Sequence, residues 1–109
     1  MVIYMNVNTK RRFSLKNLEA KFEELGNRSV FTFEKMKRGE QTKLVLHHKQ
    51  YQGRVEVGEI PDQKLIYASA WGNEEERLTS SWIEWMIRYF SVRLATIEIF
   101  PESAKVGRD

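Results

Sequence analysis

The sequence predicts an α+β fold, an antiparallel β-meander of four to six strands with two helices packed on one face. Three observations carry this. Between Ser29 and Trp71 apolar residues alternate with polar ones, the period-two pattern of strands with one buried face. The alternation is broken at Gly39, at Gly53 and at Pro61-Asp62, and it ends at Gly72-Asn73, so the breaks fall at hairpin intervals. On either side of this block the apolar spacing changes to three and four residues, the repeat of a helix that buries one stripe.

In chain order, residues 2–7 are short and apolar and are expected to add a strand at the sheet edge. Ser14 is placed to cap a helix that runs to Leu25 and stops at Gly26-Asn27, with Leu15, Leu18, Phe22 and Leu25 as its stripe. The meander strands are read at 29–37, 42–50, 54–60 and 64–71. Their expected core-facing sets are Phe31 with Phe33, Leu44 with Leu46, Val55 with Val57, and Leu65 with Tyr67 and Trp71.

Beyond Trp71, Asn73 followed by Glu74, Glu75 and Glu76 reads as a capping box with carboxylates at the positive end of a helix dipole. Leu78, Trp82, Trp85, Met86 and Tyr89 then form one broad helical face, widened by Ile83, Ile87 and Phe90. Ser81 with Glu84 offers a second start to this helix. Over residues 93–100 the β-branched residues and the stop at Pro101 favour a strand over continued helix. One domain is expected over 1–101, with 102–109 as a flexible tail.

The 109 residues, 41% hydrophobic and 12% aromatic, suffice for one buried core and are too few for two domains. With no cysteine, disulfides, thiolate metal sites and cysteine nucleophiles are excluded. No apolar run reaches membrane-span length, and residues 1–6 lack the basic start and cleavage site of a secretory signal, so a cytoplasmic protein without a membrane partner is expected. The net charge of +3 is unevenly spread. Residues 1–54 carry twelve Lys and Arg against five Glu, net +7, and residues 55–109 carry six against ten acids, net −4. Such a split suits a polyanion-binding half, or two complementary surfaces that meet within the fold or across an oligomer.

Motifs for chemistry are sparse. His47 and His48 are adjacent in a strand and so point to opposite faces, which prevents them from sharing a metal or a substrate. There is no Gly-x-Ser-x-Gly elbow, aspartate occurs only at positions 62 and 109, and the six glycines are isolated, so neither a triad nor a phosphate-binding loop is indicated. No cofactor and no metal are expected.

The order helix, strands, helix, strand resembles the core of the PD-(D/E)XK nucleases, with Arg54-Val55-Glu56-Val57-Gly58 similar to the strand that carries their acidic residue. The resemblance implies Glu56 as a metal-binding acid. Gly58 stands where that family has lysine, and the preceding strand has no aspartate, which leaves a divalent ion short of carboxylates. A degenerate nuclease is therefore the minor reading. Double-stranded RNA-binding domains also place three strands between helices, but here an extra strand is present and Glu74 to Glu76 open the second helix with the wrong sign for phosphate.

The leading expectation is a small non-enzymatic nucleic-acid-binding or regulatory protein. It uses the basic half: Lys10, Arg11, Arg12, Lys35, Lys37, Arg38, Lys43, Lys49, Tyr51 and Arg54 contact DNA or RNA, with the hairpin tip around Gly39 reaching a groove or phosphate. The rival is a protein-protein interaction module, a homodimer or an adaptor, built on Trp82, Trp85 and Tyr89. A helix apolar over most of its circumference needs two partners, and the sheet is only one; Trp85 is the expected outward tryptophan.

Overall fold

The computed structural model describes residues 2–10 and 13–101. Arg11, Arg12 and the expected tail at 102–109 lie outside the described residues. The elements are β1 (Val2–Thr9), α1 (Leu15–Leu25), β2 (Phe31–Arg38), β3 (Gln41–His48), β4 (Arg54–Ile60), β5 (Leu65–Trp71), α2 (Glu75–Phe90) and β6 (Leu94–Pro101). The strands form one antiparallel sheet in the order β2-β3-β4-β5-β1-β6, and both helices contact it. The fold is thus α+β, as the alternation and its breaks imply. No helix among the described residues is long and apolar enough to cross a membrane.

Strands β2 to β5 follow one another as hairpins because each connection is short and carries turn residues. β1 departs from expectation. It is not an edge strand but lies between β5 and β6, with Met5 opposite both Ala68 and Ile99. Both of its backbone edges are therefore paired, and its alternate residues Ile3, Met5 and Val7 are buried in the core.

One sheet face carries Met5, Val7, Leu44, Leu46, Val55, Val57, Ile66, Ala68 and Ala70 against Leu18 and Phe22 of α1 and Leu78, Trp82 and Met86 of α2. Burial of each larger side chain contributes about 1.5–3 kcal/mol. The helix ends are met by side chains. Asn17 Oδ1 accepts from the Ser14 N–H at 3.0 Å, and Glu59 Oε2, reaching from β4, accepts from the Leu15 N–H at 2.7 Å. A carboxylate there also suits the helix dipole.

Three readings of the sequence are corrected by the packing. Leu65, Tyr67 and Trp71 do not face the core; Ile66, Ala68 and Ala70 of β5 do. α2 lies over β4, β5 and β1, and the small alanines leave the depth that Trp82 and Met86 fill. Trp85 does not point outward. It is 5% exposed and stacks on Phe22 at 4.4 Å between ring centroids, so α1 supplies the second partner that the wide apolar face of α2 requires. Trp82 is likewise buried, and Tyr89 is half-buried with its ring edge-on to Trp85 at 5.3 Å. Finally, α2 starts at Glu75 with Glu74 as its N-cap, and it runs unbroken through Ser81. The Glu74 carboxylate accepts from the Gln52 N–H at 2.7 Å, tying the β3–β4 connection to the helix start.

Candidate functional site

Both helices lie on one face, so no helix of the described residues covers the other face of the sheet, and strand register decides which side chains share it. Opposed residues in an antiparallel ladder point the same way. Across β4, β5 and β1 the register sets Glu56, Ser69 and Tyr4 in one row, and Phe100 of β6 continues it. The next row sets Gly58, Tyr67, Asn6 and Glu98 side by side. On the other side of Ser69, Trp71 is opposite Arg54. Alternate β5 residues are about 6.6 Å apart, so Tyr67 and Trp71 lie on either side of the small Ser69, with the end of the Tyr67 ring over Gly58 and the Trp71 indole hydrogen-bonded to Ser69.

These side chains enclose a cavity of about 480 Å³, lined by Tyr4, Asn6, Glu56, Tyr67, Trp71 and Phe100 among others. That volume falls within the range of sites that hold a small molecule or one base. Cations border the rings. The Arg54 guanidinium lies 4.9 Å from the centroid of the Trp71 ring and the Lys43 ammonium 5.8 Å from that of Tyr67. Arg54 Nε donates to Glu56 Oε2 at 2.7 Å, and Trp71 Nε1 donates to Ser69 Oγ at 2.7 Å. The rings are therefore held in place by their neighbours before any ligand arrives. In charge the face is balanced: Arg38, Lys43 and Arg54 stand against Glu34, Glu56 and Glu98.

The cations singled out from the sequence do not converge. Lys43 and Arg54 border the aromatic cavity, and Arg38 shares their face at the hairpin tip. Lys35 points to the helix side, where it pairs with Glu19 at 3.0 Å. Lys37 is exposed beside the tip. Lys49 Nζ donates to the Asn27 carbonyl at 2.6 Å at the opposite end of the sheet, while the Lys10 N–H donates to the Arg93 carbonyl at 2.8 Å. Tyr51 stacks on His48 at 4.3 Å, beside α2. Missed by the sequence reading were Tyr4, Asn6, Tyr67, Ser69, Trp71 and Phe100. For Tyr67, Ser69 and Trp71 the signal is present in β5, where both parities carry apolar residues and only one can face the helices.

A second cleft, of about 510 Å³, lies between the β3–β4 connection and α2, with His48, Tyr51, Arg77 and Ser81 on its walls. His48 Nδ1 accepts from the N–H groups of Gln50 at 2.9 Å and Tyr51 at 3.3 Å. Its proton therefore sits on Nε2, which faces Ser81 Oγ at 3.1 Å. In that tautomer the imidazole donates to Ser81, the reverse of the arrangement in which histidine activates a serine. Burial holds the His48 pKa below its ordinary value, with the Glu74 carboxylate opposing the shift.

The place of Gly58 also bears on the nuclease resemblance. The Tyr67 ring occupies the space a side chain at position 58 would need. Among the described residues no three His, Asp or Glu side chains gather into a group that could hold a metal ion. No family model, no curated protein and no solved structure matches the chain.

Proposed function

We propose that this protein binds single-stranded DNA or RNA, without chemistry, on the face of its sheet opposite the two helices. The observation that carries the reading is the convergence of Tyr4, Tyr67, Trp71 and Phe100 on one concave surface with Lys43 and Arg54 beside the rings. Stacking needs a ring whose face a base can reach, and aromatic side chains on an open sheet offer that to unpaired bases but not to the interior of a duplex. Phosphates then meet Lys43, Arg54 and Arg38. The groove-entering hairpin expected from the sequence is replaced by this surface, because Lys35 and Lys37 lie off it.

Trp82 and Trp85 are buried and Trp71 is half-buried, so Trp71 emission reports on this face. Titration with short unstructured oligonucleotides at low salt is expected to quench it. Tyr67→Ala should weaken binding roughly 5- to 150-fold, the range for loss of one stacked base. Lys43→Ala should reduce the salt slope by about one, and Lys35→Ala should leave it unchanged. Absence of binding to any single strand at low salt overturns the proposal.

The balanced charge of the face favours one other occupant, a protein surface, a second copy included. This carries forward the interaction-module reading with the sheet face in place of Trp82, Trp85 and Tyr89. Light scattering decides it. A dimer that Tyr67→Glu dissociates supports this reading, and a monomer at high concentration removes the homodimer.

A further inference from the structure

A carboxylate at the centre of a site for a polyanion demands a reason, and Glu56 is such a group. Its side chain is 18% exposed, it lines the aromatic cavity, and it would repel phosphate. Arg54 offsets its charge through Oε2, while Oε1 accepts no hydrogen bond from the described residues. Beside it across the ladder is Ser69, whose oxygen already accepts from Trp71 Nε1 and whose own O–H is left to donate. The cavity floor thus presents a carboxylate acceptor and, beside it, a hydroxyl donor, in a cavity also lined by Tyr67 and Trp71.

Resting on the single-strand reading, we infer that the cavity is selective for guanine. The base-pairing edge of guanine carries two adjacent N–H donors, at N2 and N1, followed by the O6 acceptor, which complements the two oxygens of Glu56 and the hydroxyl of Ser69. Adenine and cytosine place a ring-nitrogen lone pair next to their amino group, and uracil and thymine place carbonyls on both sides of one N–H. Adenine and cytosine can therefore meet one carboxylate oxygen and the Ser69 hydroxyl but bring no second donor for the other oxygen. Uracil and thymine set a carbonyl against it, so guanine alone fills both oxygens and the hydroxyl. Unpaired bases expose this edge, so a protein can read it directly. Glu56 and Ser69 are specificity-determining residues, and Arg54 positions the Glu56 carboxylate.

The test uses the full chain and oligothymidylate strands carrying one central guanine, adenine, cytosine or inosine, titrated by Trp71 emission. The guanine strand should bind tightest, by roughly 5- to 150-fold over adenine, as for other paired contacts to a base. Inosine, which lacks the N2 amino group, should fall between them. Glu56→Gln, with one amide acceptor and one donor, should lose the guanine preference and move it toward adenine, each protein's affinities being taken relative to its own affinity for plain oligothymidylate, and an unchanged circular dichroism spectrum and melting temperature showing that the fold is intact. Equal binding of all four strands, or a guanine preference that survives Glu56→Gln, overturns the inference and leaves single-strand binding standing. Binding to none of them removes both.

Discussion

Tyr67 and Gly58 are partners across the β4–β5 ladder, and the Tyr67 ring fills the space over the Gly58 Cα, where an added β-carbon would overlap Cζ and Oη. A residue with any side chain at position 58 would lift the ring off β4 and change the shape of the cavity. Gly58→Ala should destabilise the protein by roughly 1–3 kcal/mol, as overpacking does. The same substitution made with Tyr67→Ala should show little of that loss. A double-mutant cycle by urea denaturation measures it, and additive effects would show that the ring does not meet position 58.

Trp85 contributes volume and a stack on Phe22, not a hydrogen bond, since its Nε1 is buried with no partner among the described residues. Trp85→Phe should therefore be mild, below roughly 2 kcal/mol, because it keeps a ring and removes an unpaired donor. Trp85→Ala should lose about 3–5 kcal/mol. Trp85→Glu places a carboxylate between the helices and should abolish cooperative unfolding, read by circular dichroism. A stable, folded Trp85→Glu protein would show that the indole is at the surface.

These two positions also show what the sequence could and could not disclose. Hairpins were legible because alternation and turn residues are local, and β2 to β5 owe their order to nothing else. β1 was misplaced at an edge because its second partner, β6, comes from the far end of the chain, and no local pattern encodes that pairing. The two sides of β5 are both apolar, so larger residues were assigned inward, whereas α2 needed the small ones beneath it. Trp85 reads as outward from the sequence because nothing local shows that α1 meets α2 as well as the sheet. The site suffered most. Its side chains come from β1, β3, β4, β5 and β6, and charge density along the chain does not see parity: Lys35 and Lys43 belong to one hairpin yet face opposite ways.

Lys64 is the one described residue other than glycine with positive φ, at 52°. It closes the β4–β5 connection, and its carbonyl accepts from both the N–H and the hydroxyl of Thr9, at 3.0 and 3.1 Å. A β-carbon is disfavoured in this conformation, while the hydrogen bonds use only its backbone. Lys64→Gly should therefore stabilise the protein by about 0.5–1 kcal/mol after the greater freedom of the unfolded glycine is offset. Thermal denaturation checks the sign. A loss of stability would mean that the Lys64 side chain contributes more than the strain removes.

His48 links pH to the connection that leads into Arg54. Its neutral form accepts two backbone N–H groups at Nδ1, and protonation would remove that acceptor. Its folded pKa lies below the ordinary histidine value of about 6.5, chiefly because burial disfavours the imidazolium, with Glu74 acting the other way. In the window between the two pKa values the unfolded chain binds more protons, so stability rises with pH there. The contribution is fully present above about pH 6.5 and is lost as pH falls through the lower, folded value. His48→Asn retains a side-chain acceptor near the same N–H groups but cannot titrate. Urea denaturation from pH 7.5 to pH 5.5 should show native stability falling toward acid, with a shallower fall in His48→Asn. Equal slopes in the two proteins would mean that another group carries the pH dependence.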